Sequence, residues 1–282
     1  MKRITRAGIY SIPAEDYHAD PVKGGSMTST TARRLVQAPP ARVRYELAHP
    51  PQSSDAQIIG QAVHTLVLHV GPTPERIDAP DWRTKAARQA RDEALKFGKV
   101  PLLAHQYDRA YAMADAVCKH PVAGRLVDPA RGRPEQTMVW QDPETEVWCR
   151  AMVDHLPHQR DDQRPILVDL KTTVAGDSKA LAKTIAQHGY HQQAAWYLAG
   201  YRALHPGSDP AFLFVFVEKD PPHLVRVVEL DEQALDLGAE LNRRALWTYA
   251  ECTATGRWPG HSPEIELVSL PPWAWSRLEE AV

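Results

Sequence analysis

The chain has 282 residues, 43% of them hydrophobic and 24% charged, enough for a sizeable buried core. A formal charge of -2 gives no global attraction to nucleic acid, so a polyanion would have to be gripped by local positive charge. No run approaches the roughly 18 apolar residues of a membrane span, no apolar stretch follows the basic start, and Cys118, Cys149 and Cys252 lie too far apart for a disulfide framework, zinc site or iron–sulfur cluster; a cytoplasmic protein is expected.

The front, to about Pro51, opens on a turn-rich DPVKGG stretch and predicts a helix from the Ser26–Ser29 region, where Ser and Thr can cap a helix start. Pro39-Pro40 and Pro50-Pro51 punctuate this segment. Residues 58–70 carry apolar side chains at 58, 59, 62, 63, 66, 67 and 70, the spacing of a helix with a wide buried stripe. Residues 71–82 are proline-rich and read as a loop, with helices predicted over 83–97 and 104–120. The texture then changes to strands at 135–141, 146–156 and 165–173, the first two joined by a DPET turn. Helices resume at 178–188 and 190–204, a strand hairpin follows at 211–218 and 223–230, and a long helix covers 231–254. The expected class is α/β (α+β): a small mixed β-sheet flanked by helices in one domain, residues 1–282. It divides into a mainly helical front (1–127), a core (128–255) and a tail (256–282).

The sharpest chemical signal is the strand ILVDLKTT. Side chains alternate faces along a strand, so Asp169 and Lys171 share one face of an otherwise apolar segment. Burying a carboxylate and an ammonium there is costly unless each has a partner. An ion pair at a strand end satisfies that requirement, and so does a catalytic centre. The preceding strand ends at Asp154, and a hairpin would bring it beside Asp169. Two close carboxylates repel unless a cation lies between them. Oxygen ligands without thiolates favour a hard ion, Mg²⁺ or Mn²⁺. Such an ion with Lys171 beside it makes a set suited to phosphodiester hydrolysis.

Asp154 followed 15 residues later by Asp169-Leu170-Lys171 resembles the D…(D/E)xK signature of PD-(D/E)xK nucleases, and VDLKTT is similar to the equivalent segment of their RecB-like branch. Gly60-Gln61-Ala62-Val63-His64 resembles the GxxxH motif of that branch, and Gln193-Ala194-Ala195-Trp196-Tyr197 its QxxxY motif. Gly60 and His64 are one helical turn apart, which leaves room beside the imidazole for a strand or an ion. Gln193 and Tyr197 share a helix face and could offer an amide and a phenol to a DNA phosphate, although packing explains the same spacing. The layout of GGSMTSTTARRL, PPARVRYEL, DWRTKAAR, PEQT and YHQQAAWYLAG is similar to the RecE-type exonucleases (exodeoxyribonuclease VIII) of phages and prophages.

That resemblance implies a restriction-endonuclease-like core degrading linear double-stranded DNA from its ends. It also implies a homo-oligomeric ring and a single-strand annealing partner of RecT type. His64 and the Leu170 carbonyl would join Asp154 and Asp169 as metal ligands, and Glu135 is either an additional acid or a surface charge. Ser29, Arg33 and Arg34, with Ser26 and Thr28, set hydroxyls and guanidiniums near a helix start where DNA ends are expected. The chain departs from the pattern in having Val153, not proline, before Asp154. An endonuclease of the same superfamily and a non-catalytic DNA-binding protein on a decayed nuclease fold are the alternatives.

Overall fold

The computed structural model describes residues 3–49, 54–159, 163–271 and Trp273. In chain order the elements are β1 (Gly8–Ser11), α1 (Ala14–His18), β2 (Met27–Thr28), α2 (Ser29–Gln37), α3 (Pro40–Ala48), α4 (Asp55–Leu68), β3 (Pro74–Ile77), α5 (Lys85–Lys96), β4 (Val100–Leu103), α6 (Ala104–Lys119) and α7 (Ala123–Leu126). They continue with β5 (Gly132–Gln141), β6 (Trp148–Pro157), β7 (Ile166–Thr173), α8 (Ser178–His188), α9 (Tyr190–Leu204), β8 (Ala211–Glu218), β9 (Val225–Glu229) and α10 (Glu232–Thr255).

Among the described residues the main sheet runs β1-β5-β6-β7-β8-β9, with β2 added alongside β6. It is mixed: β7–β8 and β2–β6 are parallel, and the other pairs are antiparallel. Strand alternation divides the core in two. Leu167, Phe212, Phe214 and Phe216 pack with the α9 residues Trp196 and Tyr197 and the α10 residues Ala245 and Leu246. Val168, Leu170, Val215 and Val217 pack with the α4 residues Val63 and Val67 and the α6 residues Met113 and Val117. Each fully buried phenylalanine contributes roughly 1.5–3 kcal/mol by leaving water.

Two features of this architecture place the site. Parallel β7 and β8 need a crossover, and α8 and α9 supply it on the phenylalanine face, so α9 lies against the face that carries Asp169. On the other face α4 is started by a capping box, in which Gln57 N–H reaches Ser54 Oγ and Ser54 N–H reaches Gln57 Oε1. That cap fixes where the helix begins, and hence where His64 meets the sheet.

The front is less uniformly helical than expected. β1 pairs antiparallel with β5, and β2 pairs with β6, so this segment contributes two strands to the main sheet. The stretch read as a proline-rich loop holds β3, which pairs in parallel with β4 in a separate two-stranded sheet. Strands of two to four residues are too short for their alternation to register, and their partners are distant in sequence. Pro74 is tolerated because it opens its strand. Pro40 likewise opens α3 instead of breaking the chain there. Pro50-Pro51, Pro272 and the end of the tail, 274–282, lie outside the described residues. No described helix is long and apolar enough to cross a membrane.

Candidate active site

The site forms where β5, β6 and β7 lose regular pairing. The β5–β6 ladder runs in constant register from Gly132↔Pro157 to Gln141↔Trp148 and skips one rung, Glu135 opposite Asp154. Glu135 sits at φ 46°, a left-handed conformation that costs a side-chain-bearing residue about 1–3 kcal/mol. Between β6 and β7 the paired rung is His155↔Val168, so the adjacent rung sets Asp154 opposite Asp169. The Asp154 carboxylate takes over the backbone's role there: its Oδ2 accepts the Leu170 N–H at 2.8 Å. Along β6 the core-facing residues are Cys149, Ala151 and Val153, then Leu156, so the alternation slips by one around Asp154. An acid has been wedged into the sheet where a β-bond would otherwise form.

His64 reaches this fork from α4. Its Nε2 lies 2.7 Å from the Leu170 carbonyl, and because a carbonyl only accepts, Nε2 carries the proton. Its Nδ1 is 3.3 Å from Asp154 Oδ2. From the opposite face, Gln193 Nε2 donates to Asp169 Oδ1 at 2.7 Å, and Lys171 forms an ion pair with Asp169 Oδ2. Tyr197 O–H donates to the Met152 carbonyl at 3.0 Å, and Trp196 Nε1–H to the Arg150 carbonyl at 3.1 Å. The helix therefore holds β6 two and four residues upstream of Asp154.

The electrostatics are those of crowded acids. Burial raises the Asp169 pKa from its ordinary value; Lys171 opposes this and the charge of Asp154 adds to it. Burial also raises Glu135, with Asp154 again contributing. Burial works against the Lys171 ammonium, but Asp169 and Asp154 outweigh it, so the lysine's pKa stands above normal and it remains charged. Three acids, Asp154, Asp169 and Glu135, thus crowd around one ammonium. Asp169 is 2% exposed, and its Oδ2 has no hydrogen-bond partner beyond the lysine ion pair.

These residues fit a hard divalent cation: carboxylate oxygens, a backbone carbonyl and an imidazole, a buried carboxylate oxygen held only by the Lys171 ion pair, and three acids around one ammonium. Among the described residues no three His, Cys, Asp or Glu side chains stand together as a ready-made metal cluster. The fit thus includes the Leu170 carbonyl and a shift of the Asp169–Lys171 pair.

The remaining expected residues part company. Gln193 and Tyr197, expected to meet phosphate, are each only 7% exposed, and both engage the protein, because α9 packs its polar stripe against the sheet. Arg33 turns inward, donating to the His188 carbonyl and to Thr30 Oγ1. Arg34 pairs with Glu46 at the surface. Ser29 is buried at the first position of α2, and Thr28 provides the cap, accepting from the Thr31 N–H at 3.1 Å. The room expected beside Gly60 is not tight: a Cβ there would meet Thr172 Oγ1 at an ordinary 3.8 Å. Tyr190 was not singled out in the sequence, although it lies three residues before Gln193; its ring faces Lys171.

Comparison with known proteins identifies the family and the fold. Residues 40–271 match the family described as a PDDEXK-like domain of unknown function (DUF3799). The fold is similar to a crystal structure of a protein from Eubacterium rectale named "Putative exonuclease". That pair has a TM-score of 0.64 and 11% sequence identity, covering 93% of this chain and 96% of that one. A phage related exonuclease from Haemophilus somnus 129PT also aligns, at a TM-score of 0.36 and 9% identity, over 82% of this chain and 96% of that one. No curated protein matches in sequence.

Proposed function

This chain belongs to the PDDEXK-like domain family DUF3799, and from that premise we propose that it is a Mg²⁺-dependent deoxyribonuclease degrading linear double-stranded DNA from its ends. The observation that carries the reading is the fork itself, with Asp154 facing Asp169 across β6 and β7 and Lys171 alongside. Asp154, Asp169, the Leu170 carbonyl and His64 would hold the cation, and Mn²⁺ could replace it. When bound, the ion polarises a phosphate oxygen and makes water more acidic. Lys171 stabilises negative charge building on the phosphate and orients the attacking water. Gln193 keeps Asp169 in place, and Glu135 adds an acid one rung further out.

The near-neutral whole-chain charge supports a further part of this reading. A protein without a strong global field stays on DNA better as a closed homo-oligomer around the duplex than as a monomer. The single-stranded tail it exposes would suit a single-strand annealing partner. The whole chain, 1–282, acts in this reading as one nuclease unit.

The test is digestion of linear duplex labelled at either end, beside a covalently closed circle, with and without Mg²⁺. Metal-dependent loss of the linear substrate alone is expected, and it should vanish in Asp169→Asn. Cleavage of the circle would make the protein an endonuclease. Cleavage of neither substrate, with no Mn²⁺ binding by calorimetry, would leave a DNA-binding protein on a decayed fold.

A further inference from the structure

We infer that Tyr190 is a positioning residue for Lys171, an inference that rests on the reading of Lys171 given above. Three residues of α9 stand on one stripe at helical spacing i, i+3 and i+7: Tyr190, Gln193 and Tyr197. Each touches a different part of the site. Tyr197 holds β6 at Met152, Gln193 holds Asp169, and the Tyr190 ring lies under Lys171, with Nζ 5.3 Å from its centroid. That distance is within the range at which an ammonium is attracted to an aromatic face.

The ammonium needs such a second partner. Lys171 is ion-paired to Asp169 and stands on a flexible four-carbon stem. Asp169 is also the side chain a cation must reach, and when it turns to the cation the ring remains as the contact that keeps the ammonium at the site. The ring face offers attraction without an acceptor atom, so it holds the ammonium while leaving its N–H donors free for substrate oxygens.

The platform itself is rigid. Tyr190 follows Gly189, which is at φ 65° and forms both the end of α8 and the start of α9. Arg33 locks this elbow by donating to the His188 carbonyl, and its side chain packs where a Gly189 Cβ would lie, 2.8 Å from Arg33 Cδ. The His188 ring stacks on Tyr190 at 5.4 Å and 22°, and Phe214 and Phe216 support it at 5.7 and 6.2 Å.

Tyr190→Phe keeps the ring and Tyr190→Leu keeps only apolar bulk, so the pair separates ring from packing. With Tyr190→Phe we expect kcat within about threefold of the parent, and with Tyr190→Leu a fall of roughly tenfold with KM for DNA unchanged. A readout independent of cleavage uses the parent and both variants labelled with ¹³C-lysine. The Lys171 ε-CH₂ resonance, assigned by its loss in Lys171→Ala, should lie upfield through the ring current in the parent and Tyr190→Phe and return to the ordinary lysine position in Tyr190→Leu. An ordinary ε-CH₂ position in the parent overturns the inference, and needs neither a folded Leu variant nor an active enzyme. Equal losses of kcat in the two variants, no loss in either, or a change confined to KM would overturn it as well. If the chain cleaves no DNA while the upfield shift is present, the placement of Lys171 stands and the nuclease reading fails.

Discussion

Helices α2 and α9 carry the same kind of sequence signal, polar residues at helical spacing, yet the structure uses them differently. On α9, Gln193 and Tyr197 are buried and bonded to Asp169 and to the β6 backbone. On α2, Arg34 is paired at the surface, Ser29 is buried, and only Arg33 turns toward the site. α9 is the crossover between two parallel strands and must lie on the sheet face, so its polar stripe meets strand backbone and acids. α2 lies against α9 and α10 and has solvent on its outer side. A polar stripe gains a role at the site only when topology presses it onto the sheet.

Substitutions can break or sharpen this contrast. The largest effect is expected at the fork that α9 serves. Asp169→Asn or Lys171→Ala should lower kcat on linear duplex by about 10³ or more while the protein stays folded, as measured by single-turnover cleavage and circular dichroism. Gln193→Ala, which removes the support of Asp169, should weaken Mg²⁺ affinity or activity by roughly 10- to 100-fold, read by calorimetry and by cleavage against metal concentration. If it behaves like the parent, α9 is merely packing. Tyr197→Phe leaves the Met152 carbonyl without its donor and should cost about 1–3 kcal/mol, a Tm drop of roughly 2–10 °C in a chain of this size. At the small end, Arg34→Ala should change stability by less than about 1 kcal/mol and activity by less than about twofold. A large loss with Arg34→Ala would mean that α2 meets substrate directly and that the contrast between the helices is wrong.

The acids of the fork also predict a pH dependence. Asp169 and Glu135 both have raised pKa values in the folded chain, through burial and then the neighbouring charges. Folded protein therefore binds these protons more tightly than unfolded protein does. Metal-free stability should fall as pH rises from the ordinary carboxylate range through the raised values, and be flat above them. Mg²⁺ should restore the lost stability at neutral pH. Glu135→Gln should flatten part of the decline, which thermal melts across pH without metal would measure. A decline as steep in the variant as in the parent would exclude Glu135 as a contributor.

Local periodicity fixed much of the molecule from sequence alone. Alternation in ILVDLKTT put Asp169 and Lys171 on one face, and the 3.6-residue repeat put Gln193 and Tyr197 on one stripe and His64 on a helix with a buried side. These relations survive in the structure because they need no knowledge of a partner. The match of residues 40–271 to a PDDEXK-like domain agrees with the motifs that suggested it. Tertiary structure alone decided which partners those faces met. It set Asp154 against Asp169 through one rung of β6–β7 register, turned Gln193 and Tyr197 inward, brought Tyr190 under Lys171, and recruited β1 and β2 into the sheet. Register and crossover depend on contacts between segments far apart in the chain, and a single strand's side-chain pattern is the same whichever neighbour it joins.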